Sequence, residues 1–341
     1  MANKKKPTIN LALQGGGAHG AFTWGVLDGL LEAGIDRFDG VSGTSAGAMN
    51  ALCLGHGLME GGPEGARQAL SGFWRAIADS SPFSGAHNPA VSPALKMMMQ
   101  WTQYLTPEQL NPFDLNPLRD ILETQFNFTK LKRNCPVKLF IAATHANSGK
   151  IRVFRNPELS ADAFLASACL PTIHRTIVIK GEPYWDGGYS ANPAVFPLFH
   201  ECEAEDVLLV LLTPLRYAET PETAEDIRVR LRELSFNSTF LREMRMFAHL
   251  KEQATPSRLP AWLLDRLALA RSERRLSRLR FHAITAEKVL GEMPADSKLN
   301  VSHQFFDDLF TQGRALSAKW LTKNRDNLGR NATLDLSKLF Y

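Results

Sequence analysis

Apolar positions along this chain fall into short bursts separated by polar and glycine-rich turns. Ile9–Leu13, Phe38–Val41, Val137–Ala143, Ile151–Phe154, Thr176–Ile179 and Val207–Thr213 are runs of strand length. Between them lie stretches with helical spacing, such as Phe22–Ala33, Gly65–Ala78 and Ala161–Cys169. Strands alternating with helices predict an α/β layered fold with a largely parallel sheet. Val207 to Leu212 is apolar throughout, as a strand covered on both faces should be, and is far shorter than the roughly twenty residues that cross a bilayer. From Pro221 onward the spacing turns helical: Ile227, Leu231, Leu234, Leu241, Met244 and Phe247 form an amphipathic stripe. Phe305, Phe306, Leu309 and Phe310, then Leu316 and Trp320, predict a closing helix docked on the core. The expected organisation is an α/β domain over 8–215 and a helical C-terminal region over 221–341 packed on it.

Two segments interrupt this pattern. Residues 80–117 read as an irregular insert, either a lid or acyl-chain wall, or a core helix packing Leu95, Met98, Met99 and Trp101 on the sheet; the core helix is the commoner case. Leu259–Leu267, with Trp262, leads into Arg271, Arg274, Arg275, Arg278 and Arg280. That composition suits a segment lying on anionic lipid, and equally a surface helix packed on its own domain.

Composition narrows the class without naming a chemistry. In 341 residues, 44% hydrophobic and 22% charged content is ordinary for a globular protein, and a net charge of +4 gives no ground for a nucleic-acid partner. Four widely spaced cysteines, Cys53, Cys135, Cys169 and Cys202, read as reduced core residues. There is no His-Glu-x-x-His and no Walker A sequence, so metal-dependent hydrolysis and nucleotide hydrolysis lack their usual signatures. The basic N-terminus runs into a strand rather than a secretion signal, which makes the expected location cytoplasmic, with peripheral membrane contact allowed.

Chemistry concentrates in three places. Gly43-Thr44-Ser45-Ala46-Gly47 has the Gly-x-Ser-x-Gly spacing that exposes a serine hydroxyl on a tight strand-to-helix turn, Gly43 and Gly47 removing the Cβ atoms that would collide there. Ser45 is the candidate nucleophile, and a helix beginning behind it would favour its alkoxide. Gly15-Gly16-Gly17 follows the first strand and offers unobstructed N–H groups of the kind an oxyanion needs. The same loop, through Gly15, Gly17 and Gly20 with Asp36 downstream, also spells a dinucleotide fingerprint and a rival oxidoreductase reading. Asp186, followed by Gly187 and Gly188, is either a turn-capping aspartate or the base that Ser45 needs. Used as a base it must be buried enough to raise its pKa, to which Tyr184 and Trp185 are expected to contribute.

These three elements, in this order, resemble the patatin-like phospholipase family over roughly Ile9 to Thr213. The resemblance implies a three-layer patatin-like fold with a largely parallel central sheet and a helical C-terminal region. It implies a lipid acyl hydrolase without metal or cofactor, with Ser45 and Asp186 as a Ser-Asp dyad lacking histidine. Gly15, Gly16 and Gly17 would form the oxyanion hole, supported by Gly20, Gly43, Gly47, Gly187 and Gly188. The expected partner is a lipid ester. His19 departs from the Arg or Lys that many members carry. The α/β-hydrolase fold, with His200, His249, His282 or His303 completing a triad, is disfavoured because the chain ahead of Ser45 holds only two strands; His174 is at most a minor contributor. A catalytically silent membrane-binding protein using Arg271–Arg280 is the other alternative.

Overall fold

The computed structural model describes residues 6–80, 106–217, 219–253, 274–291 and 293–341. Its strands are β1 (Ile9–Leu13), β2 (Phe38–Thr44), β3 (Lys138–His145), β4 (Ile151–Arg155), β5 (Ile177–Ile179), β6 (Glu182–Asp186), β7 (Asp206–Leu211) and β8 (Arg280–Thr285). The helices that bear on the site are α1 (Gly20–Glu32), α2 (Ala46–Asp79), α3 (Ala161–Ser167), α4 (Ala224–Gln253) and α5 (His303–Asn324). The Ala94–Trp101 run of the insert and the Leu259–Leu267 and Arg271 stretch lie outside the described residues.

One eight-stranded sheet runs in the order β5-β6-β3-β2-β1-β7-β8, with β4 also on β3. The pairings β3–β2, β2–β1, β1–β7 and β7–β8 are parallel; β4, β5 and β6 join antiparallel. Alternation along each strand divides the core into two layers. Ile9, Leu11 and Leu13 of β1 face Leu27, Leu52 and Phe306 of α1, α2 and α5. Ala12, Val207 and Leu209 face the other way, onto Phe240, Met244 and Phe247 of α4 and Leu198 of a short helix, Phe196–Glu201. The result is the three-layer α/β architecture with a largely parallel sheet.

Two strands went unread in the sequence. β6 carries Pro183, which demotes a strand, yet pairs with β3 only through its last three residues, where no proline is present. β8 is bounded by charge but places Phe281 and Ile284 in the core against β7. Because β8 belongs to the C-terminal region, the sheet crosses the expected boundary between 215 and 221. The helix expected from Gly65 is the second half of α2, which bends at Gly61 and Gly62, both with non-helical backbone, just before Pro63.

Candidate active site

In a parallel sheet the carboxyl ends of the strands lie on one side, and Gly15–Gly17 and Ser45 follow the carboxyl ends of adjacent β1 and β2. Asp186 reaches the same place by register. β2 accompanies β3 as far as Thr44↔Ala142, then turns away at Ser45. β4 occupies the opposite edge of β3 at Ala143 and Thr144, so β6 enters the edge that β2 has vacated, with Ala143↔Asp186 as its first pair. Ser45 and Asp186 are thus brought together by one strand ending where another begins.

Ser45 has φ 53° and ψ −122°, a region a non-glycine residue adopts at a cost of about 1–3 kcal/mol. The surroundings hold it there. Its carbonyl accepts from Ala48 N–H (2.9 Å) and Met49 N–H (3.1 Å), the first bonds of α2. Its N–H donates to the Ser167 Oγ at 3.0 Å. The Ser45 hydroxyl does not cap α2, which leaves it free for chemistry beside the positive end of the helix. Gly47 is required because any Cβ there would strike the Leu13 carbonyl; at Gly15 a Cβ would stand 2.8 Å from the Ser45 Cβ. The remaining motif glycines are equally close-packed: Gly20 against Ala46, Gly43 against the Gly47 backbone, Gly187 against the Ala142 carbonyl and Gly188 against the Phe236 ring of α4.

The Asp186 carboxyl is buried, at 2% exposure. Burial pushes its pKa up from the ordinary 3.8 to about 7, opposed by the hydrogen bonds it accepts from Gly188 N–H and the Ser45 side chain. The Gly188 N–H lies 2.7 Å from Oδ1. The backbone is pinned on both sides: Asp186 N–H donates to the Cys169 carbonyl (2.8 Å), and the Asp186 carbonyl accepts from the Thr144 hydroxyl (2.8 Å). Asp186 therefore caps its turn and meets Ser45 at once. Tyr184 is buried on the same face of β6, whereas Trp185 points away and donates to Thr176 Oγ1.

The three loop glycines are not equivalent. Gly15 N–H donates to Asn192 Oδ1 at 2.7 Å, so it is already engaged and cannot serve an oxyanion in this arrangement. No described acceptor takes the N–H of Gly16 or Gly17, and Gly17, with φ +59°, sits in the left-handed region that glycine tolerates. Gln14, almost fully buried, ties the loop down: Oε1 accepts from Leu212 N–H (2.6 Å) and Thr213 N–H (2.8 Å), while Nε2 donates to the Asn192 carbonyl (3.2 Å) and Asn237 Oδ1 (3.3 Å). His19 is buried and bonds Ser297 Oγ through Nε2 (2.8 Å). Burial, helped by Lys298, lowers its pKa to about 4, so at neutral pH it is an uncharged brace rather than a cation.

Sequence reasoning did not single out Ser167, Asn192 or Gln14. Asn192 and Gly15 are 177 residues apart, and a lone serine among small apolar residues in Ala163–Ala168 carries no local signal. Gln14 alone offered one, as a polar residue buried between an apolar strand and the glycines. Other candidates are not brought to the site. Asp36 lies ahead of β2 and pairs with Lys6 at 2.7 Å, at the wrong end of the strand for a nucleotide ribose, which removes the acidic partner of the dinucleotide reading. Among the described residues no histidine hydrogen-bonds Ser45 or Asp186: His174 accepts from Leu170 N–H, His249 meets Tyr341, His282 meets Asp206 and His303 meets Asp79. Arg275, Arg278 and Arg280 are paired within the chain, to Glu203, Glu205 and Asp206, as in a basic surface segment packed on its own domain. No described helix is long and apolar enough to cross a membrane.

Comparison with known proteins matches residues 11–199 to a family described as patatin-like phospholipase. Among solved structures, the chain is similar to VipD from Legionella pneumophila at 15% identity and a TM-score of 0.40, covering 91% of this chain and 67% of that one. It is also similar to a chain of the ExoU–SpcU complex from the type III secretion system of Pseudomonas aeruginosa, at 18% identity and a TM-score of 0.33, covering 94% and 76%. No curated protein matches. With the family match spanning more than half of its length, this chain belongs to the patatin-like phospholipase family and is a lipid acyl hydrolase acting on carboxylic ester bonds.

Proposed function

We propose that the chain cleaves lipid carboxylic esters, in the manner of a phospholipase A or lysophospholipase, through a Ser45–Asp186 dyad. The geometry that carries this reading is a serine on a strained elbow set against a buried carboxyl whose pKa burial raises to about 7, beside two glycine N–H groups that no described acceptor takes. A carboxylate at the ordinary 3.8 is a poor base toward a serine proton; one near 7 is matched to neutral pH. Asp186 takes the Ser45 proton as Oγ attacks the ester carbonyl. Negative charge develops on the former carbonyl oxygen and is received by the N–H groups of Gly16 and Gly17. Collapse of this tetrahedral species breaks the ester C–O bond, and Asp186 returns its proton to the leaving alcohol. Water, deprotonated in turn by Asp186, attacks the acyl-Ser45 carbonyl; the acid departs and Ser45 regains its proton. The step requires neither metal nor histidine.

The test is fluorophosphonate labelling read by mass spectrometry of peptides, in wild type, Ser45→Ala and Asp186→Asn. The expected result is one adduct, on Ser45, absent in Ser45→Ala and formed at least about 100-fold more slowly in Asp186→Asn. Ester hydrolysis by Ser45→Ala within tenfold of wild type would overturn the assignment.

A further inference from the structure

Ser45 has left the sheet. After Thr44↔Ala142 no strand partner remains for it, and a positive φ turns its backbone away from the ladder. Its N–H nonetheless has a partner, the hydroxyl of Ser167, the last residue of α3, which is wholly buried. Two residues further on, the carbonyl of Cys169 accepts the N–H of Asp186 at 2.8 Å. One turn of chain at the end of α3 therefore grips the backbone of the candidate nucleophile with one hand and that of its candidate base with the other. The turn is itself fixed. Ala168 and Cys169 N–H bond back to Leu165 and Ala166, and the Cys169 thiol donates to the Arg175 carbonyl at 3.1 Å. The Arg175 guanidinium in turn donates to the carbonyls of Asn111 (2.7 Å) and Pro112 (3.1 Å).

Resting on the dyad reading above, we infer that Ser167 is a positioning residue for the hydrolysis: its hydroxyl holds the Ser45 elbow and, with the Cys169 carbonyl, sets the separation of Ser45 from Asp186. β3 fixes that separation along the sheet, through Thr44↔Ala142 and Ala143↔Asp186. It does not fix how far the elbow swings out of the sheet, because Ser45 makes no ladder bond. Ser167 supplies that constraint. Removing its oxygen leaves a half-buried N–H without its partner at a strained residue, and the elbow relaxes toward water or a commoner backbone conformation. A displacement of about 1 Å between reacting groups is enough to cost 10²-fold in rate. Ser167 itself touches no reacting atom, so the loss falls on the acylation rate and not on lipid binding.

The experiment compares Ser167→Ala, Ser167→Thr and Ser167→Val with wild type, using the rate of fluorophosphonate labelling at Ser45, kcat and KM on a soluble short-chain ester, and thermal unfolding. Ser167→Ala is expected to label 10- to 100-fold more slowly and to lose a similar factor in kcat with KM changed less than threefold. Thr keeps the oxygen and Val has the same shape without it, so labelling by Ser167→Thr should exceed that by Ser167→Val at least tenfold. Equal rates for Thr and Val, or labelling of Ser167→Ala within twofold of wild type, would overturn the role. Where a variant is too unstable to assay, amide exchange in the wild type decides: the Ser45 N–H must be protected, and exchange at the solvent rate would overturn the contact. Failure of the dyad itself has a different signature, a wild type that is not labelled at Ser45, and the positioning role would fall with it.

Discussion

A carboxyl buried beside a serine hydroxyl is held between two opposed demands, since burial favours its neutral form and proton abstraction requires its charged one. At Asp186 burial wins by raising the pKa from 3.8 to about 7, against the Gly188 N–H and the Ser45 hydroxyl. Activity should therefore rise with pH through about 7, with kcat/KM increasing tenfold per unit below it as the ionised fraction grows. A flat profile between pH 5 and 8 would show that another group takes the proton. Stability moves the other way. The folded protein retains a proton that the unfolded chain releases above 3.8, so the Asp186 contribution falls as pH climbs from 3.8 through about 7. Glu243, half-buried on α4 and accepting from Val195 N–H (3.0 Å) and Phe196 N–H, is likewise raised by desolvation to about 7 and adds to the same decline. Asp186→Asn keeps an acceptor for Gly188 N–H and removes the buried charge. It should thus melt higher than wild type at pH 8 while losing nearly all activity, a pairing measurable by calorimetry and ester hydrolysis on the same samples.

At the scale of elements, α4 is more than a C-terminal appendage, because it forms one wall of the turn that follows Asp186. The Phe236 ring packs on Tyr189 with centroids 4.6 Å apart and the rings tilted by 47°, and fills the space where a Cβ at Gly188 would stand; Asn237, one residue on, accepts from Gln14 behind the glycine loop. Gly188→Ala should therefore push the turn and the Asp186 carboxyl out of place, lowering kcat by about 10²-fold. Phe236→Ala in the same chain should recover at least tenfold of that loss, a coupling that a double-mutant cycle reads directly. Additive losses would mean that α4 does not position the turn. The sequence disclosed the local half of this arrangement and not the other. The elbow at Ser45, the turn at Asp186 and the glycine loop were legible as local structures because each needs special residues within a few positions, and the apolar runs predicted six strands of the sheet correctly in place. Ser167, Asn192, Phe236 and Gln14 act through contacts between distant segments, for which neither period nor spacing leaves a trace. The engagement of the Gly15 N–H by Asn192 was hidden for the same reason.

Across the whole molecule, the C-terminal region completes the sheet and covers a helix layer, which bears on whether 8–215 and 221–341 are separable. β7 is buried along its full length, and β8 pairs with it at every position from Asp206↔Arg280 to Leu211↔Thr285. Without β8, β7 would present a bare apolar edge. α5 covers α1, with Trp24 and Phe310 rings 4.2 Å apart and Arg314 paired to Asp28. At the amino end of β7, Asp206 gathers Arg280 (2.8 Å), His282 (2.9 Å) and the Gly329 N–H (3.1 Å). Burial alone would raise its pKa, but these donors outweigh it and hold the carboxyl at about 2. Every one of these partners lies beyond residue 215, so a chain ending there would lose all of these contacts of Asp206 along with the cover of its β7 edge. A fragment of residues 8–215 should accordingly be insoluble or open to proteolysis throughout, while the full chain unfolds in one cooperative transition. A soluble 8–215 fragment that melts cooperatively and labels at Ser45 would instead show two independent units, and would make the pairing of β7 with β8 a docking contact rather than part of the fold.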